Sequence, residues 1–332
     1  MTKKIILTIF FFFIFLTFIF FVFRQKNLSE NTDKSTLTVC VAEDTEGDFI
    51  TSDNIRLHYW FYNRCTETAT IFLHGGPGRE THDFRDTCLP QKYADRFGSL
   101  LLFDQRGGGE SDHFGENPNL KAEDITFDRF IKDIDELKTS IIPNHPIVVW
   151  GRSFGGLLAA AYANSHPNNV KAYVLFSPGT FNKTITDEGA KQINALDEGI
   201  YYLHDFVTAK AEKKEQELLT KEYNSCRPKN DPGPLVADLT AGEFMNENEQ
   251  IQTKNHYYLL EAMRDIPVFV QSGQYDGLVP PLAIETMKPF LNFATYFEIP
   301  EGGHFAAYAH PDEVYDELEK FFQNNHIEGL RQ

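Results

Sequence analysis

Short apolar, β-branched or aromatic runs recur along the chain at Phe49–Thr51, Ile55–Tyr62, Ala69–Leu73, Leu100–Phe103, Ile147–Trp150, Ala172–Phe176, Val268–Gln271 and Tyr296–Ile299. Several are apolar without alternation, which predicts strands covered on both faces. Between them the period changes. Phe127, Phe130, Ile131, Ile134, Leu137 and Ile141 recur at helical spacing, with Asp124 or Thr126 available as a cap. An Ala-rich helix is predicted over Leu157–Asn164 and stops at "SHP", because Pro167 disfavours helical backbone at His166. Asp312–Phe322 has the same helical character. Strands alternating with helices predict an α/β architecture, a mostly parallel sheet flanked by helices.

The alternation lapses between Phe181 and Ile266, a segment with 16 acidic and 10 basic residues, a net of −6. It contains amphipathic stretches such as Ala211–Tyr223 and a Pro/Gly break at "NDPGP", and reads as a helical cap inserted into the sheet domain. The expected organisation is an anchor over residues 1–24, a polar tether over 25–36, a core formed by 37–180 and 267–332, and the cap over 181–266.

The anchor rests on the uncharged run Ile5–Phe23, which holds nine phenylalanines and is long enough to span a bilayer as a helix. No Ala or Gly falls between Arg24 and Thr36 to form a small-residue cleavage site. An uncleaved transmembrane signal-anchor is therefore expected, with the body outside the cytoplasm. Lys3 and Lys4 on one side and Arg24 and Lys26 on the other balance each other, so the orientation follows from the usual behaviour of a single N-terminal signal-like segment.

In 332 residues, 42% hydrophobic content supports a real core, and the net charge of −17 speaks against nucleic acid as a partner. Cys40, Cys65, Cys88 and Cys226 show no metal-ligand spacing. In an exported chain they allow two disulfides with three pairings, and four ordinary thiols are the other reading.

Gly151-Arg152-Ser153-Phe154-Gly155 matches G-x-S-x-G between a buried strand and a helix, a sharp turn that exposes the serine hydroxyl. A serine needs a base to remove its proton, and that base needs a carboxylate to hold it. Asp276 follows one strand and His304 follows the next, in the chain order such a triad requires. Asp265 precedes its strand and His310 lies near the last helix, so both fit worse. An Asx-type turn at Asp276 and a surface loop at His304 are the bland alternatives. Acyl transfer also needs two N–H donors for an oxyanion. Phe154 supplies one, and Gly76, or else Gly75, in "HGGPG" supplies the other. No metal or organic cofactor is expected.

"HGGPG" at His74–Gly78, "DQRGGGES" at Asp104–Ser111, "GRSFGG" at Gly151–Gly156 with "YANSHP" downstream, "YDGLVP" at Tyr275–Pro280 and "GGH" at Gly302–His304 carry a resemblance. With them the chain resembles the proline iminopeptidase-like serine aminopeptidases of the α/β-hydrolase superfamily, over about residues 48–180 and 266–323. Arg152 stands where a small residue or glycine is usual. The resemblance implies an α/β-hydrolase fold, removal of N-terminal residues, often proline, from short peptides, and a cap whose carboxylates bind the substrate's ammonium. An esterase acting on small acyl esters by the same triad, and a non-catalytic binding protein on the same fold, are the rival expectations.

Overall fold

The computed structural model describes residues 40–76, 78–166, 168, 170–179, 181–182, 213–218 and 255–331. The chain divides into two units, residues 1–40 and 41–332, and every element below belongs to the second. Eight strands form one sheet: β1 (Asp44–Ile50), β2 (Arg56–Tyr62), β3 (Ala69–Leu73), β4 (Leu100–Phe103), β5 (Ile147–Arg152), β6 (Val170–Phe176), β7 (Val268–Gly273) and β8 (Thr295–Ile299). Their order across the sheet is β1-β2-β4-β3-β5-β6-β7-β8. The β1–β2 and β2–β4 pairs are antiparallel, whereas β4, β3, β5, β6, β7 and β8 run parallel.

Every residue of β3, β4 and β5 is buried, as their unbroken apolar runs require. On β5, Ile147 and Val149 join a core on one face of the sheet, and Val148 and Trp150 join a core on the other. The first core takes in the helices Phe127–Ile141 and Phe154–Ser165, the second Leu89–Phe97 and Pro311–Asn324. Trp150 centres the second, with ring centroids of Phe72, Phe84, Tyr93 and Phe176 between 4.8 and 5.1 Å away. Thr126, not Asp124, caps the helix Phe127–Ile141: its side chain accepts the Arg129 N–H at 3.2 Å.

The connection after β3 leads to β4 on one side, and the connection after β5 leads to β6 on the other. The carboxyl ends of β3 and β5 therefore flank a topological switch point, where open α/β sheets leave a crevice. His74 and Ser153 are the first residues beyond those two ends.

A buried ion pair braces the loop after β4. Arg106 is fully buried and holds Asp133 on the helix Phe127–Ile141 through Nε (2.6 Å) and Nη2 (2.7 Å), with Asp53 at 3.0 Å from Nη1. Two-pronged geometry of this kind is what offsets the cost of removing both charges from water.

Cys40, Cys65 and Cys88 are each disulfide-bonded, in place of the free thiols also considered. The Ala211–Tyr223 stretch of the expected cap is helical at 213–218, and its remainder lies outside the described residues. So does the apolar run Ile5–Phe23. Among the described residues no helix is long and apolar enough to cross a membrane.

Candidate active site

Ser153 sits between β5 and the helix Phe154–Ser165 with φ 49° and ψ −121°. For a residue with a Cβ this backbone is strained by about 1–3 kcal/mol. Its surroundings enforce it. The Ser153 N–H donates to the Phe176 carbonyl at 3.0 Å, and its own carbonyl accepts the N–H of Gly156 (2.8 Å) and of Gly179 (2.6 Å). A Cβ at Gly155 would lie 1.9 Å from the Leu73 carbonyl oxygen, so only glycine lets the elbow pack on the end of β3. Phe154 is the first residue of its helix, where the N–H has no carbonyl of the preceding turn to bond.

Asp276 and His304 come together. Asp276 is fully buried just beyond β7, and its carboxylate meets Nδ1 of His304 at 2.9 Å from Oδ2 and 3.0 Å from Oδ1. Oδ1 also accepts the N–H groups of Leu278 (2.9 Å) and Val279 (2.8 Å). The Asx-type turn is thus real, and it coexists with the histidine contact instead of replacing it. A carboxylate surrounded by donors in this way takes a hydrogen from Nδ1, which leaves Nε2 with the free lone pair. Among the described residues no hydrogen bond joins Ser153 to His304; such bonds tighten when substrate is bound. Asp265 lies before β7, at the opposite end from Asp276, and His310 leads into the helix Pro311–Asn324.

The "HGG" turn lies against the elbow: a Cβ at Gly75 would be 2.9 Å from that of Ser153. Gly76 has φ +60°. His74, fully buried, ties this turn to the loop after β4. Its Nε2 accepts the Gln105 N–H at 2.9 Å, so its Nδ1 carries the hydrogen offered to the Gly75 carbonyl at 3.0 Å. Gln105 Nε2 returns a bond to the His74 carbonyl at 3.0 Å. Burial holds the His74 imidazole below the usual histidine range, in keeping with that neutral form. Next to it, Asp104 Oδ1 accepts from the Thr81 N–H (2.7 Å) and hydroxyl (3.0 Å), and Oδ2 accepts from the Glu110 N–H (2.8 Å). "HGGPG" and "DQRGGGES" are therefore two halves of one hydrogen-bonded support.

Two further residues escaped the sequence reading in these roles. Arg152 is buried, with Nη1 2.9 Å from Asp83 Oδ2 and its guanidinium carbon 4.0 Å from the centre of the Phe305 ring. Glu215, from the helical residues 213–218, accepts the N–H of Gly303 and that of Phe305, the latter at 3.2 Å. The sequence signal for Arg152 was its departure from a small residue. For Glu215 there was none beyond the acidity of the segment.

The family model for the alpha/beta hydrolase fold matches residues 69–311. A proline iminopeptidase from Arabidopsis thaliana is 32% identical over 144 residues, 43% of this chain and 35% of the relative. The chain thus spans about a third of the length of the first curated relatives it matches. A proline iminopeptidase-related protein from Thermus thermophilus superimposes with a TM-score of 0.65 at 18% identity, over 85% of this chain and 98% of the other. An esterase from Thermogutta terrifontis does so with a TM-score of 0.60 at 19% identity, over 85% and 99%. At these identities the two structures establish the fold. With a family model covering well over half of its length, the chain belongs to the alpha/beta hydrolase fold family.

Proposed function

We propose that the chain is a serine hydrolase in which Ser153 attacks a carbonyl carbon, His304 Nε2 takes the hydroxyl proton and returns it to the leaving group, and Asp276 orients the imidazole. The observation that carries this reading is the Asp276–His304 hydrogen bond at 2.9 Å, in a protein whose G-x-S-x-G serine has the strained elbow backbone. The N–H groups of Phe154 and Gly76 are assigned to the oxyanion: the first opens a helix and has no intrahelical carbonyl to bond, and the second belongs to a turn packed on Ser153. Nothing in this chemistry calls for a metal or organic cofactor.

The substrate we assign is a short peptide with a free amino terminus, so that the enzyme is an aminopeptidase of the proline iminopeptidase type. The name of the Arabidopsis relative supports this, as do the two loop strings and the net charge of −6 over residues 181–266, which suits a cationic amine. That segment is assigned as a helical cap inserted into the sheet domain. A second reading is an esterase. It is favoured by the half-buried rings of Phe154, which stacks on Phe127 at 6.3 Å, and Phe305, next to His304, which offer apolar surface for an acyl group.

Residues 1–24 are assigned as a membrane anchor and the body as extracytoplasmic. The disulfides of Cys65 and Cys88 fit an oxidising compartment.

The test is hydrolysis, by the full chain in detergent, of free-amine aminoacyl and peptidyl arylamides, their N-acetylated twins and short acyl esters, with Ser153→Ala as control. Cleavage that needs the free amine and vanishes in Ser153→Ala is the expected result. Ester turnover indifferent to the amine moves the assignment to the esterase. Silence on all substrates, with no labelling of Ser153 by a fluorophosphonate, leaves a binding protein.

A further inference from the structure

Asp276 fixes one nitrogen of the His304 ring but not the backbone from which the ring springs. That backbone lies in a turn between β8 and the short helix Ala306–Ala309. The N–H groups on either side of the histidine, of Gly303 and of Phe305, both point to one carboxylate: Glu215 Oε1 accepts the first and Oε2 the second. Glu215 is 3% exposed and reaches this turn from 88 residues earlier in the chain.

We propose that Glu215 is a positioning residue for His304, holding the main chain of the histidine turn through its two flanking N–H groups. The proposal rests on the assignment of Ser153, His304 and Asp276 as the catalytic triad.

Three observations favour it over a casual contact. Both carboxylate oxygens are engaged, which sets the turn in two places instead of letting it pivot on one. The carboxylate also lies close against Gly303, where a Cβ would stand 2.9 Å from Glu215 Oε2. A neighbouring pair, Lys214 and Glu301 at 4.0 Å, joins the same two segments from the solvent side.

The consequence lies in where Nε2 points. A base displaced by about 1 Å costs on the order of 100-fold in rate, because proton transfer depends on alignment. The inserted segment then contributes to the chemical step through the histidine's backbone, whatever it also does for substrate.

The closing experiment measures the rate of Ser153 phosphonylation by a fluorophosphonate in the full chain, comparing wild type, Glu215→Ala and Glu215→Gln. Amide hydrogen exchange at Gly303 and Phe305 and urea denaturation are measured on the same samples. Glu215→Ala is expected to label ~10- to 100-fold more slowly, with faster exchange at both amides. On any turned-over amide or ester its kcat falls with KM unchanged. Glu215→Gln keeps one acceptor and is expected to recover part of the rate, and it decides the matter if Glu215→Ala does not fold. Wild-type labelling with both variants within about two-fold of it overturns the positioning role alone, since misalignment costs far more than that. So does a defect confined to KM for free-amine substrates, which would make Glu215 a substrate ligand. An unlabelled wild type overturns the hydrolase assignment and this role with it.

Discussion

The guanidinium of Arg152 lies 4.0 Å from the ring centre of Phe305, so the residue before Ser153 rests on the residue after His304. Tyr308 adds a second ring at 5.1 Å, and Asp83 takes one guanidinium nitrogen at 2.9 Å. One planar cation thus joins the Ser153 turn, the His304 turn and the helix His82–Arg85.

Replacing it separates these parts. Arg152→Ala is expected to lose about 1–3 kcal/mol of stability, from a charged hydrogen bond and a desolvated cation–π contact, and to slow Ser153 labelling. Arg152→Lys keeps the charge but not the planar stack, and should recover only part of the loss. Urea denaturation with labelling of the same samples reads both effects.

His74 makes stability depend on pH. Burial lowers its pKa in the folded protein, against the pull of Asp104 and the Gly75 carbonyl, so below about pH 6.5 the unfolded chain binds a proton that the folded one resists. Its contribution is complete above that pH and is lost as the pH falls below it. His82 runs the other way, since Glu80 raises its pKa against the cost of burial. The comparison must therefore be with a His74 variant. His74→Asn should be less stable by about 1–3 kcal/mol at about pH 7.5, with a shallower loss between about pH 7 and pH 5 in chemical denaturation.

Gly155→Ala puts a methyl group 1.9 Å from the Leu73 carbonyl oxygen. Backbone cannot yield there without parting β3 from the elbow. The expected cost is about 3 kcal/mol or more, beyond the ordinary range of overpacking, together with loss of Ser153 labelling. A variant with wild-type denaturation midpoint would refute the packing described for this turn.

The loops after β3 and β4 depend on the ion pair behind them. Asp133→Ala leaves the fully buried Arg106 with Asp53, which is partly exposed, as its one remaining carboxylate among the described residues, and should cost about 3–5 kcal/mol. Thermal and urea denaturation give the value, and a smaller penalty for the joint Arg106→Met, Asp133→Leu variant would identify the stranded charge as its source.

How much of this was legible in the sequence follows from where each signal resides. Strands β3, β4, β5 and β7 are buried throughout and β6 from Ala172 onward, so their apolar runs stand out against polar loops. Strand β1 does not: "DTEG" at its start lies largely exposed at the sheet edge, and only Phe49 and Ile50 betrayed it. The helices Leu89–Phe97 and Pro281–Met287 span about two turns each, too short for a periodicity to rise above its neighbours. The places of Ser153, Asp276 and His304 just beyond β5, β7 and β8 were legible because each follows a readable strand. Glu215 was not. It is one carboxylate among 16 acidic residues between Phe181 and Ile266, and its meaning depends on a turn 88 residues away. His74 was visible only as the first letter of a glycine string, because the bonds that define it come from Gln105.

The strained backbone at Ser153 sets stability and chemistry against each other at a single pair of dihedral angles. Glycine would occupy φ 49° without that strain, so the thermodynamics of folding alone would favour a Ser153→Gly protein, firmer than the native one and, with Ser153 as the proposed nucleophile, unable to act. The elbow works as a cocked spring whose tension the rest of the molecule maintains. Proteins recovered by selection for heat resistance alone would be expected to drift toward relaxing it, and only a simultaneous demand for turnover would keep a side chain at that position.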